Sequence, residues 1–241
     1  MEQIYTIPIN EAFDLCREKP ECGCPLCVLY KRLQEHELDL ILGASMMEPS
    51  IRMQTNEEGF CLTHYNMMLG RRRMLGIGLM LESHLDEVMK KLDGPILLGD
   101  KRKAALSALG KLEGDCYVCR RVEHNFASVI ANICYLHETD YDFRKKFDEQ
   151  PWFCMPHYRA LLDYASKKMN KRNYGELYSA AYRIQSEYIK ALRGDVSWFC
   201  KKFDYRYNDE PWYNSKDAIQ RTIRFLDGCF GEEEKPNISG Q

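Results

Sequence analysis

The sequence predicts an all-α fold, with two tandem, duplicated helical units followed by an aromatic-rich helical extension. Three observations predict it. Apolar residues recur every three to four positions over long stretches, no stretch alternates apolar and polar residues as a half-buried strand does, and four short Cys/His pairs repeat along the chain.

The repeat organises everything else. Its pairs are Cys24-Pro-Leu-Cys27, Cys61-Leu-Thr-His64, Cys116-Tyr-Val-Cys119 and Cys154-Met-Pro-His157. In the first copy 33 residues separate Cys27 from Cys61, in the second 34 separate Cys119 from Cys154, and Phe60 and Phe153 stand just before the third cysteine of each. The copies align at an offset of 92 for the C-x-x-C pairs and 93 for the C-x-x-H pairs. Such agreement points to duplication of one unit.

After Cys24, Pro25 suits a first helical turn, and Leu26, Leu29, Leu33, Leu38 and Leu42 continue the helix up to a stop at Gly43. Val118, Val122, Phe126, Val129, Ile130 and Ile133 repeat the arrangement after Cys119. Stretches 48–59 and 140–150, flanked by Pro49 and Pro151, read as short polar helices or turns. A longer helix follows each C-x-x-H, from His64 to Leu92 with a break near Gly70 or Gly76, and from His157 to Arg193 with a break between Asn170 and Gly175. Asp93-Gly94-Pro95 and the stretch from Gly99 to Lys103 mark a boundary. The expected division is therefore a first helical unit over 1–95, a second over 96–193, a C-terminal helical strap over 194–230 and a disordered tail over 231–241.

The strap has no counterpart in the first unit. Trp198, Phe199, Phe203, Tyr205, Tyr207, Trp212 and Tyr213 make it dense in aromatics, and Ser215 is the expected N-cap of a last helix reaching Leu226. Its KKFDYRY run interleaves bases with aromatics, as a single-strand nucleic-acid surface does, but Asp204, Asp209 and Glu210 dilute the charge, and a packing strap is the favoured reading.

The 241-residue chain is long enough to fold without a metal, and 34 basic against 36 acidic residues give no overall pull toward nucleic acid or anionic membrane. Residues 1–20 carry charges throughout and do not read as an export signal, and the longest apolar stretch, near Met74–Leu81, is far too short to cross a bilayer. A cytoplasmic location is the expectation. There, 11 cysteines are not disulfide partners but metal ligands, redox groups or core residues.

Each C-x-x-C or C-x-x-H turn brings two ligand atoms to one side, so two turns supply the three thiolates and one imidazole that structural zinc prefers, with no position left for substrate. The candidate metal ligands are Cys24, Cys27, Cys61 and His64 in the first unit, and Cys116, Cys119, Cys154 and His157 in the second. Two zinc ions are the expected cofactors, with an iron–sulfur cluster as the alternative that the ligands do not separate from zinc. If each pair opens a helix, the macrodipoles offset the excess negative charge of three thiolates around a dication. A thioredoxin-like role for Cys24–Cys27 lacks its βαβ context, and no E-x-x-H supports a ferritin-like di-iron centre.

Glu123 falls four and seven residues after Cys119 and Cys116, so on a helix it shares their face and is a candidate hydrogen-bond partner for the metal-site histidine, against the plainer reading of a solvated acid. Cys16, Cys22, Cys134, Cys200 and Cys229 read as core or incidental; Cys22 is matched in the second copy by Gly114, which argues against an extra ligand. His36, His84, His124 and His137 read as surface or satisfied core histidines. Arg71-Arg72-Arg73 and Lys101-Arg102-Lys103 are short basic clusters of the kind solvated helices carry. No phosphate loop, nucleophile elbow or zinc-protease motif occurs, and no catalytic residue is singled out.

With its two CxxC…FCxxH units, notably Gly59-Phe60-Cys61-Leu-Thr-His64 and Trp152-Phe153-Cys154-Met-Pro-His157, the chain resembles an uncharacterised bacterial and archaeal family, a domain of unknown function frequent in anaerobes. The resemblance spans most of the chain and implies no activity. The sequence alone thus favours a zinc-binding cytosolic scaffold or interaction protein with a protein partner, over a metal- or iron–sulfur-dependent redox enzyme and, further behind, a nucleic-acid-binding protein.

Overall fold

Helix α1 (Thr6–Glu18) shows why these residues fold as they do: Ile9, Ala12, Phe13 and Cys16 lie on one stripe, and all four are buried. The computed structural model describes residues 6–93 and 101–228. Gly94, Pro95 and Gly99 of the expected boundary, Cys229 and the tail over 231–241 lie outside the described residues. After α1 come α2 (Pro25–Ile41), α3 (Pro49–Glu58), α4 (Leu62–Gly70), α5 (Met74–Asp93), α6 (Lys101–Gly114), α7 (Tyr117–Thr139), α8 (Tyr141–Asp148), α9 (Met155–Lys168), α10 (Lys171–Lys201) and α11 (Ala218–Asp227). Among the described residues there is no strand, so the all-α expectation holds. None of their helices is long and apolar enough to cross a membrane.

The expected helix breaks fall close to where the glycine and asparagine place them. The first lies at 71–73, directly after Gly70, while Gly76 sits inside α5, where an added Cβ would come 2.9 Å from the Met46 sulfur. The second is capped by Asn170, whose side chain accepts from the Asn173 amide. Two expectations near the C-terminus are corrected. Ser215 does not cap α11: its hydroxyl donates to the Trp212 carbonyl and the residue is buried, and Asp217 precedes the helix instead. Helix α10 runs unbroken past Arg193 to Lys201, so the C-terminal segment begins as a continuation of that helix.

Contacts group the described residues into two units. One takes residues up to Tyr30 together with those from Ala127 onward, and the other takes Lys31–Phe126. This grouping cuts across the sequential division at residue 95.

The first of these units is centred on aromatic rings. Phe13 lies 4.9 Å from Phe143 and 6.0 Å from Phe147, and Phe147 lies 5.2 Å from Phe153, all four fully buried. Burying each ring contributes about 2–3 kcal/mol, before the entropy of ordering it. Helix α8 is started by Asp140, whose carboxylate accepts from the Asp142 and Phe143 amides, and is held to α1 by Lys146 on Asp14 and Arg17 on Glu149. Helix α11 packs on α9 and α10 through Phe225, which meets Trp152 and Tyr188. The Lys202 ammonium donates to the carbonyls of Tyr207, Asn208 and Glu210 and lies over the Trp212 ring, so a basic residue of the KKFDYRY run is spent inside the protein.

In the second unit α3 packs along α5. The Ser83 hydroxyl donates to Asn56, His84 Nδ1 meets the Asn56 carbonyl at 2.8 Å, and Arg52 donates to the Leu79 carbonyl. Glu37, buried on α2, accepts from Arg121 and Asn125 of α7. Arg71 pairs with Asp39, and Arg73 donates to the Leu42 carbonyl, so two of the three clustered arginines already have intramolecular partners.

Candidate metal centres

Each of the four Cys/His pairs opens a helix, as expected. Cys24, Cys61, Cys116 and Cys154 directly precede α2, α4, α7 and α9, and their carbonyls accept the first helical hydrogen bonds, from Val28, Tyr65, Arg120 and Tyr158. The second ligand of each pair follows three residues on, inside the first turn. Both side chains then face the same way, beside the positive end of the helix.

The pairs do not combine within the repeats. Cys24, Cys27, Cys154 and His157 form one group, and Cys61, His64, Cys116 and Cys119 form the other. This corrects the expected sets, in which Cys24 and Cys27 were to join Cys61 and His64. Helices α2 and α7 lead away from Cys27 and Cys119, and the segments that follow, a 3-10 turn with the 10-residue α3 and the eight-residue α8, bring each C-x-x-H to the C-x-x-C of the other repeat.

In the first group the His157 Nδ1 lies 3.9, 3.3 and 3.2 Å from the sulfurs of Cys24, Cys27 and Cys154, and the Cys27 and Cys154 sulfurs are 3.5 Å apart. All four residues are buried. Gln185 of α10 fixes the approach to Cys154: its amide donates to the Phe153 carbonyl at 2.7 Å and its oxygen accepts from the Phe153 amide at 3.3 Å. A side chain thus satisfies both polar groups of a buried backbone unit beside a ligand.

In the second group the His64 Nδ1 lies 3.1, 3.4 and 3.5 Å from the sulfurs of Cys61, Cys116 and Cys119, and the Cys61 and Cys119 sulfurs are 3.8 Å apart. The two arms are tied by the backbone, because the Tyr117 amide donates to the Gly59 carbonyl. Gly59 takes φ +64°, and a Cβ there would sit 2.9 Å from the His84 ring, so only glycine fits.

These separations match one tetrahedral ion. With metal–sulfur bonds of about 2.3 Å, neighbouring ligand atoms stand about 3.8 Å apart, whereas a disulfide needs about 2.05 Å. In both groups every ligand atom lies within 4.8 Å of the others. The thiols of each group also act strongly on one another. A hydrogen bond from Cys119 lowers Cys116 to about 3, while the same interaction, with burial, holds Cys119 far above the usual thiol range. In the other group burial raises Cys24, but hydrogen bonds from Cys154, Cys27 and His157 outweigh it and take that thiol well below its usual value; Cys154 is pushed up by its contact with Cys24. In each group one thiol is lowered while a neighbouring one is raised. A dication bound there would favour the thiolate form of its sulfur ligands.

The family model DUF6062, a family of unknown function, matches residues 1–233. The chain belongs to this family. No curated protein and no solved structure matches it. Membership in DUF6062 carries no activity with it, so chemistry must be read from the two groups themselves.

Other candidate residues fall outside them. Glu123 is exposed and is in neither group; the partner of His64 is Gln34, whose side-chain amide lies 3.1 Å from His64 Nε2. With Nδ1 on a metal, Nε2 carries the proton and donates, and a half-turn of the Gln34 amide presents its oxygen to receive it. Cys22 joins neither group, Cys16 and Cys134 are buried, and burial pushes the Cys134 thiol up to about 12. Cys200, read as core or incidental, is exposed on α10. His36 and His124 are exposed, whereas His137 is buried edge-on against Phe147. Gln34 and Gln185 carried no sequence signal, because a single glutamine within a helix has no pattern to mark it.

Proposed function

We propose that the protein is a helical scaffold or interaction protein held together by two structural zinc ions, one in each Cys3His group, and working in a reducing compartment such as the cytosol. The observation that carries this reading is the spacing of the ligand atoms, which suits one tetrahedral ion per group. Four protein ligands fill that tetrahedron and leave no position for a substrate, which favours a structural over a catalytic ion. Each ion would fasten two helix starts from distant parts of the chain, 24–27 with 154–157 and 61–64 with 116–119, so metal binding and folding are linked.

Zinc is favoured over an iron–sulfur cluster by compactness. A cluster distributes its cysteines over more than one iron, so thiolates on different irons stand farther apart than those sharing a single ion. The interaction role is supported by the large apolar side chains Met74, Leu75, Leu85, Met89 and Leu92, which remain exposed along α5. Elemental analysis of anaerobically purified protein tests the reading: two zinc per chain and a colourless solution are expected, whereas a brown preparation containing iron and sulfide contradicts it.

A further inference from the structure

The two groups differ in one respect that chemistry can exploit. Cys24, Cys27, Cys154 and His157 are all buried, whereas Cys61 and Cys119 are partly exposed, flanked by exposed Leu62, Thr63 and Arg120. The sulfurs of Cys61 and Cys119 are 3.8 Å apart. Cys116 and His64 lie behind them, buried.

We propose that Cys61 and Cys119 form a peroxide-sensitive modification site, whose oxidation releases the metal of the second group while the first keeps its own. The inference rests on the zinc reading above. A zinc-bound thiolate at the exposed edge attacks hydrogen peroxide: a sulfur–oxygen bond forms, the oxygen–oxygen bond breaks, and the departing hydroxide takes a proton to become water. The thiolate of the other cysteine then attacks the sulfenic sulfur, forming the disulfide and expelling a second hydroxide, which is also protonated. Two thiolates are oxidised by two electrons, one peroxide is reduced to two waters, and the zinc stays Zn²⁺ throughout. Closing the sulfurs from 3.8 Å to about 2.05 Å needs only a short side-chain movement. With Cys116 and His64 as its remaining ligands, the ion leaves. In the first group no sulfur is open to the attacking peroxide.

The test uses the full chain. Zinc is first counted by elemental analysis, and stoichiometric hydrogen peroxide is then added with the chromogenic chelator 4-(2-pyridylazo)resorcinol present. Two zinc per chain are expected beforehand, after which one leaves at least tenfold faster than the other. Peptide mass mapping at that stage should find a Cys61–Cys119 disulfide with Cys24, Cys27 and Cys154 still reduced. Release of both ions at one rate, or any other first oxidation product, overturns the inference and leaves the zinc reading standing. Fewer than two zinc before oxidation overturns both.

Discussion

Cys27 and Cys154 lie 127 positions apart in the chain and hold their sulfurs 3.5 Å apart. That contact joins the first C-x-x-C to the second C-x-x-H, and it makes the stability of the aromatic unit depend on what lies just before Cys154.

Gln185 is the clearest case. Replacing it with leucine leaves the amide and carbonyl of Phe153 buried without partners, at a cost of about 2–4 kcal/mol. Chemical denaturation should register this as a lower midpoint with little change in slope; an unchanged midpoint would mean that the clamp is incidental.

Gln34 and Glu123 separate two ideas about His64. Gln34→Ala should weaken the metal affinity of the second group about 10- to 100-fold, as losing the partner of a ligating histidine generally does. Glu123→Ala, at an exposed position, should leave it unchanged. Chelator competition on the two variants reads both values.

His137 gives the aromatic unit an acid sensitivity of its own. Burial holds its imidazole down to about 4, with Arg144 adding to the effect and Glu176 opposing it, and its Nε2 has no hydrogen-bond partner. The folded protein thus keeps His137 neutral at pH values where the unfolded chain, with an ordinary histidine pKa near 6.5, takes up a proton. Stability is unaffected by this group above about pH 6.5. It falls as pH drops toward about 4, by at most about 3 kcal/mol. The metal ligands also protonate in acid, so the measurement is the difference between wild type and His137→Leu across that range. The wild type should lose more stability than the variant; parallel curves would exclude the effect.

Lys202 organises the loop after α10. Its ammonium has three carbonyl acceptors and an aromatic face, so Lys202→Met should free residues 203–212 and speed tryptic cleavage at Arg206 several-fold, with helix content almost unchanged. Equal cleavage rates would show that the aromatic contacts alone hold the loop.

The eight Cys/His residues of the two groups were legible because a helix start turns i and i+3 to one side, a local property that spacing reports directly. Their pairing was not. It depends on where the stretches after α2 and α7 deliver the next pair, a long-range property that the spacing within each pair does not report. The breaks after Gly70 and at Asn170 were legible from residues that end or cap helices. The cap of α11 was not, because Ser215 finds a nearer acceptor in the Trp212 carbonyl. Of the two readings of Glu123, its exposure fits the solvated acid: sharing a helical face with two ligands does not bring a side chain to the histidine, and a residue of another helix, Gln34, occupies that place.

The crossed pairing determines which thiols a lost ligand exposes. In Cys61→Ser one ligand of the second group is lost, and with it much of the metal affinity that helps fold those helix starts. Brief alkylation of the native variant with iodoacetamide, followed by mass mapping, should find Cys116 and Cys119 newly modified while Cys24 and Cys27 stay protected. Modification of Cys24 and Cys27 with Cys116 and Cys119 protected would contradict it.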